Sequence, residues 1–183
     1  MSVPSWQTWL VHAFASVTPV AALLRTHWGW PAAESAHFIG LTLLFGPIAV
    51  WDLRLLGWGR RIPIGALHAL VPWVLAGYAV TAISGVTFLM TEPVEYIYNP
   101  AFHYKVLFMT LAGLNALAFY KTVGRSTLSR GAGEEAPRAA KAMAVASLFF
   151  WVAVIICGRL LTFYRPGWCG SSVSGWLSTC IPR

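Results

Sequence analysis

Four stretches of this sequence, about residues 32–56, 62–90, 101–121 and 141–164, stay apolar for longer than the roughly 20 residues that carry an α-helix across a bilayer. Hydrocarbon offers no water to satisfy backbone amides, so such runs must close their hydrogen bonds within the segment, as helices do. Charged residues stand between the runs and make up only 10% of the chain, against about a quarter in an ordinary soluble domain. The expected fold is all-α: a transmembrane four-helix bundle forming a single integral-membrane domain over residues 1–183. Pro72, inside the second run, predicts a kink or tilt there.

Both ends lie outside the spans. Over residues 5–27, Trp6, Leu10, Phe14, Val17, Ala21 and Leu24 recur at three- and four-residue spacing, while Gln7, Ser16 and Arg25 lie elsewhere around the wheel. That pattern predicts an amphipathic helix in the membrane interface, bent at Pro19. "MSVPSWQTWLVHAFASV" has no basic leader and no small-residue cleavage site, so a cleaved signal peptide is not expected. Residues 165–183 form a short extramembrane tail in which Cys169 and Cys180 flank "GSSVSGWLST". A disulfide between them would staple the tail in an oxidising compartment. Cys157, in mid-span, reads as a small buried apolar residue.

The loops set the orientation. "GWGRRIP" carries Arg60 and Arg61, and the loop before the fourth run carries Lys121, Arg125, Arg130, Arg138 and Lys141 against Glu134 and Glu135. The intervening "TEPVEYIYNP" holds Glu92 and Glu95 and no base. The positive-inside rule places both basic loops in the cytoplasm and both termini in the periplasm of a bacterial inner membrane. The net charge of +7 is then turned toward anionic lipid headgroups. Nucleic acid is not an expected partner, because no basic stripe interleaved with aromatics occurs.

Depth can be assigned to the polar residues within the runs. His37 lies roughly 9 Å below the start of the first run, at the usual helical rise, and His103 lies within a turn of the start of the third. Both runs cross in the same direction, so the two imidazoles share a layer, with Arg159, Arg165, Lys105 and Glu34 near it. An ionisable group in a span faces the bundle and finds a partner, since burying it alone costs at least ~2.5–3.5 kcal/mol. Imidazoles from two helices are suited to holding haem iron from both sides. The expected site is therefore haem b, one or two, with His37 and His103 on the iron. Arg159 and Arg165 would pair with its propionates, and Gly40 would open a groove for the ring. The other reading makes each histidine an interfacial ring bonded to Glu34, Glu95 or a carbonyl.

Other residues carry paired readings. Gly77, Thr81, Ser84 and Gly85 form a small-residue stripe suited to close helix packing. His68 is a second haem site with Met143 as partner, or a buried imidazole bonded to Asp52 or a carbonyl. His12 and His27 are expected to face headgroups or water. In "WDLR", Asp52 and Arg54 read as an ion pair at the membrane edge with snorkelling stems, or as a proton or quinone contact.

"HFIGLTLLFGPIAVWDLRLLG", "SGVTFLMTEPVEYIYNPAFHYKVLFMTLAGLNALAFY" and "GRLLTFY" together resemble a poorly characterised family of small four-helix bacterial inner-membrane proteins. That family is similar in outline to small b-type cytochromes and to membrane proteins of the copper-resistance D type. The resemblance covers nearly the whole chain. The expected function is electron transfer through haem b between a quinone and a periplasmic redox partner, as the membrane subunit of a larger oxidoreductase. One alternative is a copper-handling protein using Met90, Met109, His103 and Cys157 as ligands. Another is a cofactor-free accessory subunit, anchored by its tryptophans against other membrane subunits or a second copy. Hydrolytic chemistry lacks a motif: no Ser-His-Asp order, H-E-x-x-H or P-loop is present.

Overall fold

A computed structural model of the protein describes residues 5–15, 18–163, 167–168 and 180–181. The N-terminal segment forms two helices, α1 (Ser5–Ala15) and α2 (Thr18–Leu24), in place of the one bent helix expected. Pro19 falls in the first turn of α2, where its missing N–H removes no helical bond. Trp6, Trp9, Leu23 and Trp28 are all exposed, as residues of an interfacial belt are. The pair caps one end of the molecule: α1 lies on α5 (Pro93–Ile97), and α2 on α4 (Val71–Thr91). The Gln7 amide donates to the Ile97 carbonyl at 3.4 Å, and Arg25 lies 3.5 Å from Glu92.

Among the described residues, four segments are long and apolar enough to span a membrane. They are α3 (Gly29–Leu56), a 3-10 helix (Ile64–Leu70) running straight into α4, α6 (Pro100–Thr122) and α8 (Arg138–Phe163). The protein is thus a multi-pass membrane protein, and lipid is the partner of its outward Phe38, Ile83, Leu114 and Ile156. The ends of the spans follow from local chemistry. Gly57 closes α3 at φ 109°, a left-handed conformation that a side chain would strain, and its N–H bonds the Arg54 carbonyl at 3.1 Å. Asn99 caps α6, its side chain accepting from the Ala101 N–H at 3.0 Å just before Pro100 takes the first helical position. Pro72 sits where three-residue bonding gives way to α-helix, so the irregularity expected of it is a change of helix type at the start of α4.

The spans pair unequally. α3 packs along α4, and α6 along α8; contact between α3 and α8 joins the two pairs, while α4 and α6 pack little on each other. The α3–α4 seam is backbone against backbone. A Cβ on Gly77 would lie 2.5 Å from the Leu44 nitrogen and 2.7 Å from the Gly40 carbonyl oxygen, and one on Gly40 would lie 2.6 Å from the Thr81 hydroxyl. The stripe of small residues on the second span is therefore used for close packing. Apolar side chains fill the bundle at two levels. Leu44, Ala112, Trp151 and Val154 form one cluster, and Leu55, Ile64, Phe119, Ala140 and Ala144 belong to the other.

The second cluster lies at the basic end, where the loop after α3 meets the loop that runs from α7 (Gly124–Leu128) to α8. Arg54, only 2% exposed, ties the two together. It donates to the Ile62 carbonyl at 2.7 Å, the Arg60 carbonyl at 3.4 Å and the Glu134 carbonyl at 3.3 Å. Glu135 adds ion pairs to Arg60 and Lys141, each at 2.7 Å. In the tail, Gly167–Trp168 pairs in parallel with Cys180–Ile181. Cys169 and Arg165 lie outside the described residues, and with them the expected Cys169–Cys180 bridge and the second propionate partner.

Candidate functional site

With little packing between α4 and α6, the bundle keeps a cavity of about 340 Å³ in its basic half. Its walls are Val74, Leu75 and Tyr78 of α4 and Met109, Gly113, Ala116 and Tyr120 of α6, and α3 and α8 floor it with Trp51, Asp52, Ser147 and Trp151. The volume is that of a small-ligand site, largely apolar with a few convergent polar groups.

Asp52 is the chemical centre of this cleft. It does not pair with Arg54. Residues two apart on a helix point to nearly opposite sides, so Arg54 turns to the loops while Asp52 turns into the bundle. The Asp52 residue is 5% exposed, and its Oδ2 has no hydrogen-bond partner. Asn115 lines the same space, with its amide nitrogen donating to the Met143 carbonyl at 3.0 Å. A buried carboxylate with one oxygen unsatisfied is costly. Such an atom facing a cavity is where a ligand's polar group would be stabilised most.

His68 stands at the rim. It is exposed and lies edge-on to Trp51 and Tyr120, with ring centroids 6.1 Å from each. Depth alone suggested a buried imidazole. The 3-10 helix corrects this: its three-residue turn puts Ile64 and Leu67 on the buried side, and His68, the next residue, faces out. Met143 lines the cavity, whereas His68 is not among its lining residues.

The other expected site residues lie toward the opposite end. His37 sits in the α3–α4 seam with Nδ1 2.9 Å from the Ser84 hydroxyl, which itself donates to the Val80 carbonyl at 2.7 Å. Which of the two supplies the hydrogen follows the imidazole tautomer. Phe88 packs against the ring, with centroids 5.6 Å apart, and Lys105 is near enough for its charge to act on it. His103 is exposed on α6 and faces Trp6 of α1, 6.0 Å between centroids. The two histidines thus have separate surroundings, one a helix seam and the other the N-terminal cap. Gly40 is buried under Thr81 and Val80, so α4 fills the groove it would have offered a flat ring. Arg159 is exposed with its guanidinium 4.8 Å over the Phe163 ring, and Cys157 is a buried free thiol as expected. His12 and His27 are exposed, also as expected. Among the described residues, no three His, Cys, Asp or Glu side chains group to hold a metal ion.

The cleft and the four spans fall within residues 22–164, the part of the chain matched by a family profile. The chain belongs to DUF6644, a family of unknown function. No curated protein and no solved structure matches it. The match opens within α2 and runs one residue past α8, leaving α1 and the tail outside. It shows no likeness to b-type cytochromes or copper-resistance D proteins. What this DUF6644 chain offers as a site must be argued from its own residues, and of the two readings of Asp52 only the ion pair with Arg54 fails. The two-residue spacing from Arg54 was the available signal.

Proposed function

We propose that this DUF6644 member binds a quinone-class carrier from the bilayer in the cleft between α4 and α6, as the membrane subunit of an electron-transfer oxidoreductase. The observation that carries the proposal is the unpartnered Asp52 oxygen in an apolar cavity walled by two spans that pack little on each other. A membrane quinone is an apolar ring with opposed oxygen functions on a hydrocarbon tail. Its ring suits the Trp51–Met109–Trp151 surroundings, its tail can stay in lipid through the α4–α6 gap, and one ring oxygen meets Asp52. Interconversion of quinone and quinol moves two electrons and two protons. Asp52 supplies a proton-exchanging carboxyl beside the ring oxygen, and the electrons pass to or from a redox centre of a partner subunit. By the positive-inside rule the basic end is cytoplasmic, both termini are periplasmic, and the cleft opens in the cytoplasmic leaflet of a bacterial inner membrane.

The test is co-purification. Protein extracted in mild detergent should carry near-stoichiometric quinone, and Gly113→Leu, which fills the cleft, should lose it. Quinone no higher than in an unrelated membrane protein prepared alongside would overturn the proposal.

A second reading rests on His37, whose Nδ1 is anchored by Ser84 in the way that fixes a metal-binding imidazole. Haem b on His37 and His103 would give a sharp reduced-minus-oxidised spectrum that His37→Ala abolishes; a colourless, folded preparation would overturn it. Copper analysis of the same preparation tests the copper-handling alternative.

A further inference from the structure

Resting on the quinone-class reading of the cleft, we infer that the cleft takes its ligand in the reduced, hydroxyl-bearing form: the quinol donates a hydrogen bond to Asp52. The inference follows from which hydrogen-bonding groups around the cavity are already used. In its ionised form the Asp52 carboxylate has acceptors only. Oδ2 of Asp52 is left with nothing to accept from. Asn115 has committed one amide hydrogen to the Met143 carbonyl; that partner can only accept, so it fixes which end of the amide carries nitrogen. Among the residues that line the cavity, the buried polar atom without a partner is therefore an acceptor that lacks a donor.

The two ligand forms differ at this atom. A quinone carbonyl set against Oδ2 would bring two acceptors together in a low-dielectric space, leaving both unsatisfied. A quinol hydroxyl brings the missing hydrogen and makes a charge-assisted bond. Ring size, tail and apolar contacts are the same for the two forms, so discrimination falls on this one hydrogen. A site that must hydrogen-bond a hydroxyl rejects the analogue lacking it far more strongly than an apolar wall can.

The test compares three short-chain probes under anaerobic conditions, with the full-length protein in nanodiscs: a quinol, its quinone, and the quinol's dimethyl ether. The parent protein should bind the quinol at least about tenfold more tightly than either other probe. Asp52→Asn keeps the shape but presents amide hydrogens, so its quinol preference should vanish or reverse toward the quinone. Equal affinity for all three, or a parent that prefers the quinone, overturns this inference while leaving the cleft as a quinone site. Failure of every probe to bind the parent overturns the underlying reading as well. A quinol preference that survives in Asp52→Asn means the hydrogen is accepted elsewhere, and removes Asp52 from the role.

Discussion

The α3–α4 seam and the α4–α6 gap share one helix and have opposite characters. Along the seam, Gly77 and Gly40 bring backbones so close that a single methyl group has no room. Across the gap, Gly113 has no atom within 4 Å of where its Cβ would be, and it lines an open cavity. Glycine is used for contact in one place and for space in the other. The seam holds the bundle together through van der Waals packing, the main force available between helices in lipid. The gap forgoes that packing, and there lies the buried carboxylate whose oxygen has no partner. Structure is concentrated on one side of α4 and chemistry on the other.

Four substitutions separate the two regions, from the largest expected effect to the smallest. Gly77→Val drives a branched side chain into the Leu44 and Gly40 backbone and should cost about 3 kcal/mol or more, read as a lowered unfolding midpoint in detergent. Gly113→Leu should leave that midpoint within about 0.5 kcal/mol of the parent while emptying the cleft of quinone. Similar outcomes for the two glycines would erase the contrast. Asp52→Asn removes a buried charge that is only partly satisfied, so it should raise stability by about 1 kcal/mol while weakening quinol binding. A large loss of stability would mark Asp52 as a structural residue. Ser84→Ala frees the His37 Nδ1 in the seam and should cost about 0.6 kcal/mol, the usual worth of a hydrogen bond between spans.

The smallest effect belongs to the loops. Glu135 is held below the usual carboxylate range by its hydrogen bond with Lys141 and by the charges of Arg60 and Lys141. Its folded-state value is depressed, so its contribution is present above the ordinary carboxylate range and is lost as pH falls through that lower value. Stability measured against pH should fall on the acid side in the parent and fall less in Glu135→Gln. Identical acid limbs would show that the loop ties do not depend on this carboxylate.

The four spans were legible because hydropathy runs uninterrupted between charged loops, and Gly57, Asn99 and Pro100 mark their ends chemically. The azimuth of each residue was not. A span facing lipid is apolar all round, so no polar face reports which side turns inward, and which helices pair depends on backbone fit that a single sequence does not display. Depth placed His37 and His103 in one layer, but it could not say that one faces Ser84 and the other Trp6. His68 was misjudged because α-helical spacing was assumed where the turn is 3-10. The expected Asp52–Arg54 ion pair does not form, because adjacency in sequence was taken for adjacency in space.

The most direct test of the cleft is photo-crosslinking in native membranes with a quinone that carries a photoreactive group on its ring, followed by mapping of the modified peptides. The account expects label on Val74–Tyr78 and Met109–Tyr120, the two walls of the gap, and its loss when unlabelled quinone competes. Label confined to the α3–α4 seam, or spread over the lipid-facing surface and indifferent to competitor, would contradict it.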